Sequence, residues 1–160
     1  LQHTAGMQFV AVGLAAYGLF GIAGVISAGR RADRRMIRMN IVGTGLIVLA
    51  GLIGALALAV SSGSYVAGFI LAILVVASLG LAGGGLPTVA TTVFLFAGNA
   101  NQNRASSIYV VTFQVGIASG SALGSLPVDA GFLPGTLLVT AVLGALASAE
   151  LSLRARPLLR

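Results

Sequence analysis

Of the 160 residues in this chain, 58% are hydrophobic and 8% are charged, the nine basic residues are all arginine, and the formal net charge is +6. An ordinary soluble domain carries about 25% charged residues, so a fold that presents this composition to water is excluded and lipid must solvate most of the chain. The absence of cysteine removes disulfides, thiolate metal sites and cysteine nucleophiles, and the absence of tryptophan leaves Tyr17, Tyr65 and Tyr109 as interfacial anchors.

The polar opening from Leu1 to Gly6 has no basic segment, and the apolar run behind it is too long for a signal-peptide core. No targeting segment is therefore expected, and the chain reads as part of something longer. The first apolar run covers about 9–28 and stops at Gly29, Arg30 and Arg31. The second covers about 39–60 and stops at the Ser61, Ser62, Gly63, Ser64 turn. A third begins at Tyr65 and stays uncharged to Phe96. It contains Gly83, Gly84 and Gly85 followed by Pro87, which has no backbone donor and crowds the carbonyl of Gly83. One crossing over about 65–92 with a kinked inner end is predicted, since two crossings need about 36 residues and a turn. The fourth and fifth runs cover about 105–126 and 132–150.

A helix needs about 20 apolar residues to cross the ~30 Å hydrocarbon layer, which predicts five transmembrane helices. Strands would alternate polar and apolar residues, and the stretch from Phe69 to Ala77 does not. The predicted fold is an all-α membrane protein. Five crossings put Arg30, Arg31, Arg34, Arg35, Arg38, Arg104, Arg154, Arg156 and Arg160 on one side, with His3, the serine turn and Asp129 on the other. Basic loops stay cytoplasmic, so the expectation is a multi-pass plasma-membrane protein with this segment's N-terminus outside and its C-terminus in the cytoplasm.

The most specific segment is Gly29, Arg30, Arg31, Ala32, Asp33, Arg34, Arg35 and on to Arg38. It resembles the loop signature of the major facilitator superfamily, with Gly29, Asp33, Arg34 and Arg38 in the matching positions. A second stretch resembles the eleventh helix of that family's drug- and sugar-efflux branch, the arabinose efflux permeases among them. It consists of Asn103, Arg104, Ala105, Ser106 and Ser107, then Gln114 to Gly124, then Val128, Asp129, Ala130 and Gly131. The resemblance implies a C-terminal fragment holding the eighth to twelfth helices of a twelve-helix transporter. That protein would move a small-molecule substrate by alternating access with proton antiport. Its missing N-terminal half would be the partner, and Gly29, Asp33, Arg34 and Arg38 would form a gating loop.

Each feature also has a plainer account. A basic turn serves topology alone, although it leaves Asp33 unexplained. Gly116, Gly120 and Gly124 share one helix face at intervals of four and suit close helix packing, as does the kink expected at Pro87. The Gly80 to Gly85 cluster lacks the strand and the Lys-Ser/Thr that a phosphate loop needs. Among polar residues inside the spans, Tyr17, Tyr109, Thr112 and Gln114 are the candidates to line a substrate cavity, with Ser78, Thr88 and Thr91 weaker. Gln114 leads, because an amide in lipid must find another helix, a water or a ligand.

No acid falls within a span, so a proton relay would need a carboxylate from elsewhere. One histidine and three separated acids assemble neither a catalytic site nor a metal site, so no enzyme activity and no cofactor are expected. The arginine run borders lipid, which argues against nucleic acid as a partner and for attraction to anionic headgroups. The rival reading is a small membrane scaffold or assembly subunit that uses its glycine faces only to bind other helices.

Overall fold

The computed structural model describes residues 2–60, 65–98 and 101–155. It contains five α-helices and, among the described residues, no strand: α1 (Gln2–Gly29), α2 (Ala32–Val60), α3 (Tyr65–Gly98), α4 (Gln102–Asp129) and α5 (Leu133–Ala155). The helices outrun the apolar runs at most ends. Four of them are long and apolar enough to cross a membrane. The apolar part of α5, Pro134–Glu150, is shorter. It rises ~26 Å at 1.5 Å per residue, at the lower limit for a ~30 Å layer.

The packing is the reverse of a soluble core. Among the described residues, the buried apolar side chains apart from Val89 are all alanine (Ala28, Ala50, Ala82, Ala105 and Ala141), joined by Thr44 and Ser78. Large side chains point outward along every helix, among them Val12, Leu14, Leu52, Val66, Phe96, Val111 and Leu146. Water-soluble monomers rarely expose a contiguous apolar patch beyond a few hundred Å². Small residues inside and bulky ones outside is the arrangement that lipid favours, since helices there gain by close backbone approach rather than by hiding leucine from water.

Two crossings show this directly. At the first, a Cβ on Gly84 of α3 would land on the Gly21 carbonyl of α1, and one on Gly24 would land on the Leu81 carbonyl. At the second, a Cβ on Gly51 of α2 would lie 2.6 Å from the Leu137 carbonyl oxygen and 2.9 Å from the Ala141 Cβ of α5. Two turns further, the Ser148 hydroxyl donates to Thr44 Oγ1 at 2.7 Å, and Thr44 donates in turn to the Asn40 carbonyl at 2.9 Å. The glycine cluster of α3 is therefore a packing surface.

The register follows from these pairs. Tyr17, Gly21, Gly24 and Ala28 meet successively later residues of α3, so α1 and α3 run parallel. Gly54, Gly51 and Thr44 meet Leu137, Ala141 and Ser148, so α2 and α5 are antiparallel. Gly98 sits against Ala105, and Gly124 against Thr136. The turn with Arg30 and Arg31, the start of α4 at Arg104 and the C-terminal end of α5 thus lie at one end of the bundle. α3 is the hub, touching α1, α2 and α4, while α1 and α2 make little contact with each other.

α3 is one helix through Pro87, whereas Arg35 in the first turns of α2 leaves helical geometry at φ −144 and ψ 36. Hydroxyls reinforce the α3 carbonyls around the proline: Thr88 donates to Gly84, Thr91 to Pro87 and Thr92 to Thr88, at 2.8 to 3.0 Å. The stretch from Val128 to Gly131 is a helix stop. Gly131 has φ +72, its N–H donates to the Val128 carbonyl at 2.9 Å, and the Phe132 N–H donates to Pro127 at 2.8 Å. That pair of bonds around a left-handed glycine is a Schellman C-cap.

Candidate functional site

The most developed side-chain arrangement lies between α3 and α4. The Tyr109 ring sits 5.5 Å from Phe94 in a tilted pair and 5.8 Å from Phe113 in a near-parallel one. Its hydroxyl donates to the Pro87 carbonyl at 3.3 Å. Proline at 87 cannot continue the hydrogen-bond ladder of α3, and the neighbouring helix uses the carbonyl of the same residue as an anchor. Ala90, Phe94, Tyr109, Thr112, Phe113, Gly116 and Ile117 line a groove of about 390 Å³ that is almost wholly apolar.

Sequence reasoning marks Tyr109, Thr112, Gly116 and Pro87 here, but not the flanking Phe94, Phe113 and Ile117. The available signal was the four-residue spacing of Tyr109, Phe113 and Ile117, which aligns them on one face. Tyr17 approaches the same face of α3 from α1, its hydroxyl lying where a Cβ on Gly83 would fall, one turn before Pro87. Tyr17, Tyr109 and Thr112 are thus gathered along one side of α3.

Gln114 does not join them. Five positions beyond Tyr109 place it about 140° round α4 at 3.6 residues per turn. Asn103, Ser107, Gln114, Ser121 and Ser125 fall within about 40° of one another on this second face, and all five are exposed. Ser107 and Ser125 satisfy their hydroxyls on their own helix, donating to the Asn103 and Ala122 carbonyls, each at 3.0 Å. The Gln114 amide, near the middle of α4, has no partner among the described residues.

The packing expected at Gly116 and Gly120 is not made within this chain, for a Cβ at either meets nothing within 4 Å. Only Gly124 approaches a neighbour, with Thr136 Cγ2 3.8 Å from that position and the Thr136 hydroxyl donating to the Gly124 carbonyl at 3.3 Å. Among the described residues of α4 only Ala105, in its first turn, is buried, so most of the helix is left uncovered by this chain. In the basic turn, Gly29 ends α1 and Arg38 is exposed on α2, while the Asp33 and Arg34 side chains lie outside the described residues.

No family model matches the chain, and neither curated proteins nor solved structures give a match.

Proposed function

We propose that this chain is part of a secondary active transporter, contributing five crossings of the C-terminal half of an alternating-access efflux protein of the major facilitator type. The observation that carries the reading is the unpartnered Gln114 amide near the middle of α4, centred on a stripe of polar residues along a largely uncovered helix. An amide offers two donors and an acceptor, and hydrocarbon satisfies neither kind. The stripe therefore faces water, a ligand or another helix. A cavity between two transporter halves provides the first two. The aromatic groove at Tyr109 forms an apolar wall beside it, and the arginine-bearing end of the bundle is cytoplasmic on this reading. The efflux branch and the gating role of Gly29, Asp33, Arg34 and Arg38 rest on the residues of the two motif-like stretches. Proton coupling by a carboxylate needs an acid from the other half.

The lack of cysteine makes the test direct. Gln114→Cys is expected to react in intact cells with a charged, membrane-impermeant thiol reagent, because thiolates form in water and not in lipid. An unreactive Gln114→Cys would refute a water-accessible cavity. Single cysteines at Ser62 and Arg104 are expected to label from opposite sides of the bilayer, and labelling from one side would remove the crossing pattern altogether.

A second reading has its own observation. The open glycine face at Gly116 and Gly120 suits a docking helix, as in a scaffold or assembly subunit. Gly120→Leu separates the two readings. It should abolish transport with the protein still inserted if that face slides between halves, and should abolish only assembly in a scaffold.

A further inference from the structure

We propose that the crevice between α1 and α2 is a binding site for one anionic phospholipid, with an acyl chain lying against α3 and the phosphate held by Arg31. This goes beyond the transport reading and stands if that reading fails.

The crevice exists because α1 and α2, although consecutive, both pack on α3 and scarcely touch each other. Gly24 and Ser27 form one wall, Met39, Val42, Gly43 and Leu46 the other, and Leu81, Gly85 and Val89 the floor. Its volume is about 350 Å³, within the ~300–1,000 Å³ typical of ligand clefts. Glycines on all three helices set its depth. From Met39 to Leu46 and from Leu81 to Val89 it runs ~10–12 Å along the helices, most of the ~15 Å thickness of one leaflet.

The dimensions select the occupant. A helix 10–12 Å across would need on the order of 900 Å³ over that length, far more than the crevice holds. A single extended hydrocarbon chain, ~4–5 Å across at carbon contact distance, needs on the order of 200 Å³. The Ser27 hydroxyl is already turned onto its own helix, donating to the Gly24 carbonyl at 3.0 Å, so it makes little demand for water. An apolar crevice at membrane depth takes up hydrocarbon, because water finds too few partners there.

The charge selects the lipid class. Among the described residues, Arg31 is the one charged side chain lining the crevice, at its arginine-bearing end, and it is exposed. Arg30, Arg35 and Arg38 are exposed in the same segment, and the sequence there holds five arginines against Asp33. A phosphate at the mouth therefore meets a concentrated positive field, and basic pockets between transmembrane helices favour anionic headgroups.

The test is native mass spectrometry of the chain purified in mild detergent and offered phosphatidylglycerol or phosphatidylcholine. One phosphatidylglycerol per chain should be retained, about fivefold more than phosphatidylcholine, which is the factor that ~1 kcal/mol per arginine gives. Arg31→Gln should erase that preference, whereas Arg104→Gln, an exposed arginine at the same end but outside the crevice, should keep it. Val42→Trp should cut retention of both lipids by filling the crevice, and Val42 is exposed enough for the change to disturb no packed contact. Equal retention of the two lipids, or identical behaviour of the two arginine variants, would overturn the proposal. Displacement of the lipid by millimolar inorganic phosphate would do so as well, because it would make this a phosphate site without a chain-binding crevice.

Discussion

The contact between α1 and α3 can be tested at a single atom. A methyl group added by Gly84→Ala would fall on the Gly21 carbonyl oxygen, 2.8 Å from its carbon and 3.0 Å from the Gly21 Cα. Non-bonded heavy atoms rest at ~3.5 Å and the oxygen overlaps most deeply, so α1 must retreat by more than ~1 Å at the crossing. Overpacking this severe costs ~2–3 kcal/mol, and the better helix propensity of alanine returns ~1 kcal/mol. A net loss of ~1–2 kcal/mol is expected. Gly120→Ala is the control, since its methyl meets nothing within 4 Å and should leave stability unchanged or slightly raised. Both variants can be followed by helical circular dichroism during denaturing-detergent titration of mixed micelles. The reasoning fails if Gly84→Ala is as stable as the unmodified chain. It also fails if Gly120→Ala loses as much, for then something covers the α4 glycine face.

Three further outcomes are expected in the same unfolding assay. A double-mutant cycle of Thr44→Val and Ser148→Ala should give a coupling of ~0.6 kcal/mol and at most ~1.7 kcal/mol, the range measured for interhelical hydrogen bonds in membranes, and zero coupling would deny the α2–α5 bond. Tyr109→Ala should cost more than Tyr109→Phe, because two ring pairs worth ~0.5–1.5 kcal/mol each are lost in the first and only a long hydrogen bond in the second; equal costs would place the stability in the hydroxyl. Gly131→Ala should cost ~1–2 kcal/mol, the penalty for a side chain in the left-handed region, and a neutral result would mean the C-cap is not formed.

Fold class and helix order were legible because hydrocarbon imposes a length and a composition that few other environments demand. Charge-free runs bounded by arginine or by serine and glycine needed no tertiary information. Three features were not legible. The pairing of α1 with α3 instead of α2 depends on which glycines face each other, and Gly21, Gly24, Gly80 and Gly84 look no different in sequence from Gly116 and Gly120. The two sets diverge only in the structure, where a neighbouring backbone fills one and leaves the other open. The site candidates divided for a similar reason. Tyr17, Tyr109, Thr112 and Gln114 were grouped by polarity within apolar runs, but angular position on α4 separates Gln114 from its aromatic neighbours. The break in α2 was the third. A proline announces itself in the sequence, whereas nothing at Arg35 does, and the departure from helical dihedrals there shows only in the structure.

The division of labour among the helices bears on the functional question more than any one residue does. α1 is fastened to α3, and α2 to α5, through glycine contacts so close that an added methyl meets backbone. Joined by the packing of α2 on α3, these four helices form a body with little freedom at its crossings. α4 is attached differently, with close glycine contacts only at its two ends, Gly98 on Ala105 and Gly135 on Pro127, and between them an aromatic cluster and two long hydrogen bonds of 3.3 Å. It is also the helix that carries a polar stripe and an open glycine face. A purely structural α4 in lipid would be cheaper to build from leucine, since a row of serines around an unpartnered amide gains nothing from hydrocarbon. Those residues make sense only against a second surface that is polar, or that approaches closely, or both in turn. An aqueous cavity alternating with a closing neighbour supplies such a surface directly, whereas a permanent partner helix supplies it only by carrying its own row of polar side chains opposite the stripe. The combination of the Gln114 stripe with the vacant Gly116 and Gly120 face is therefore what places the transport proposal ahead of the scaffold.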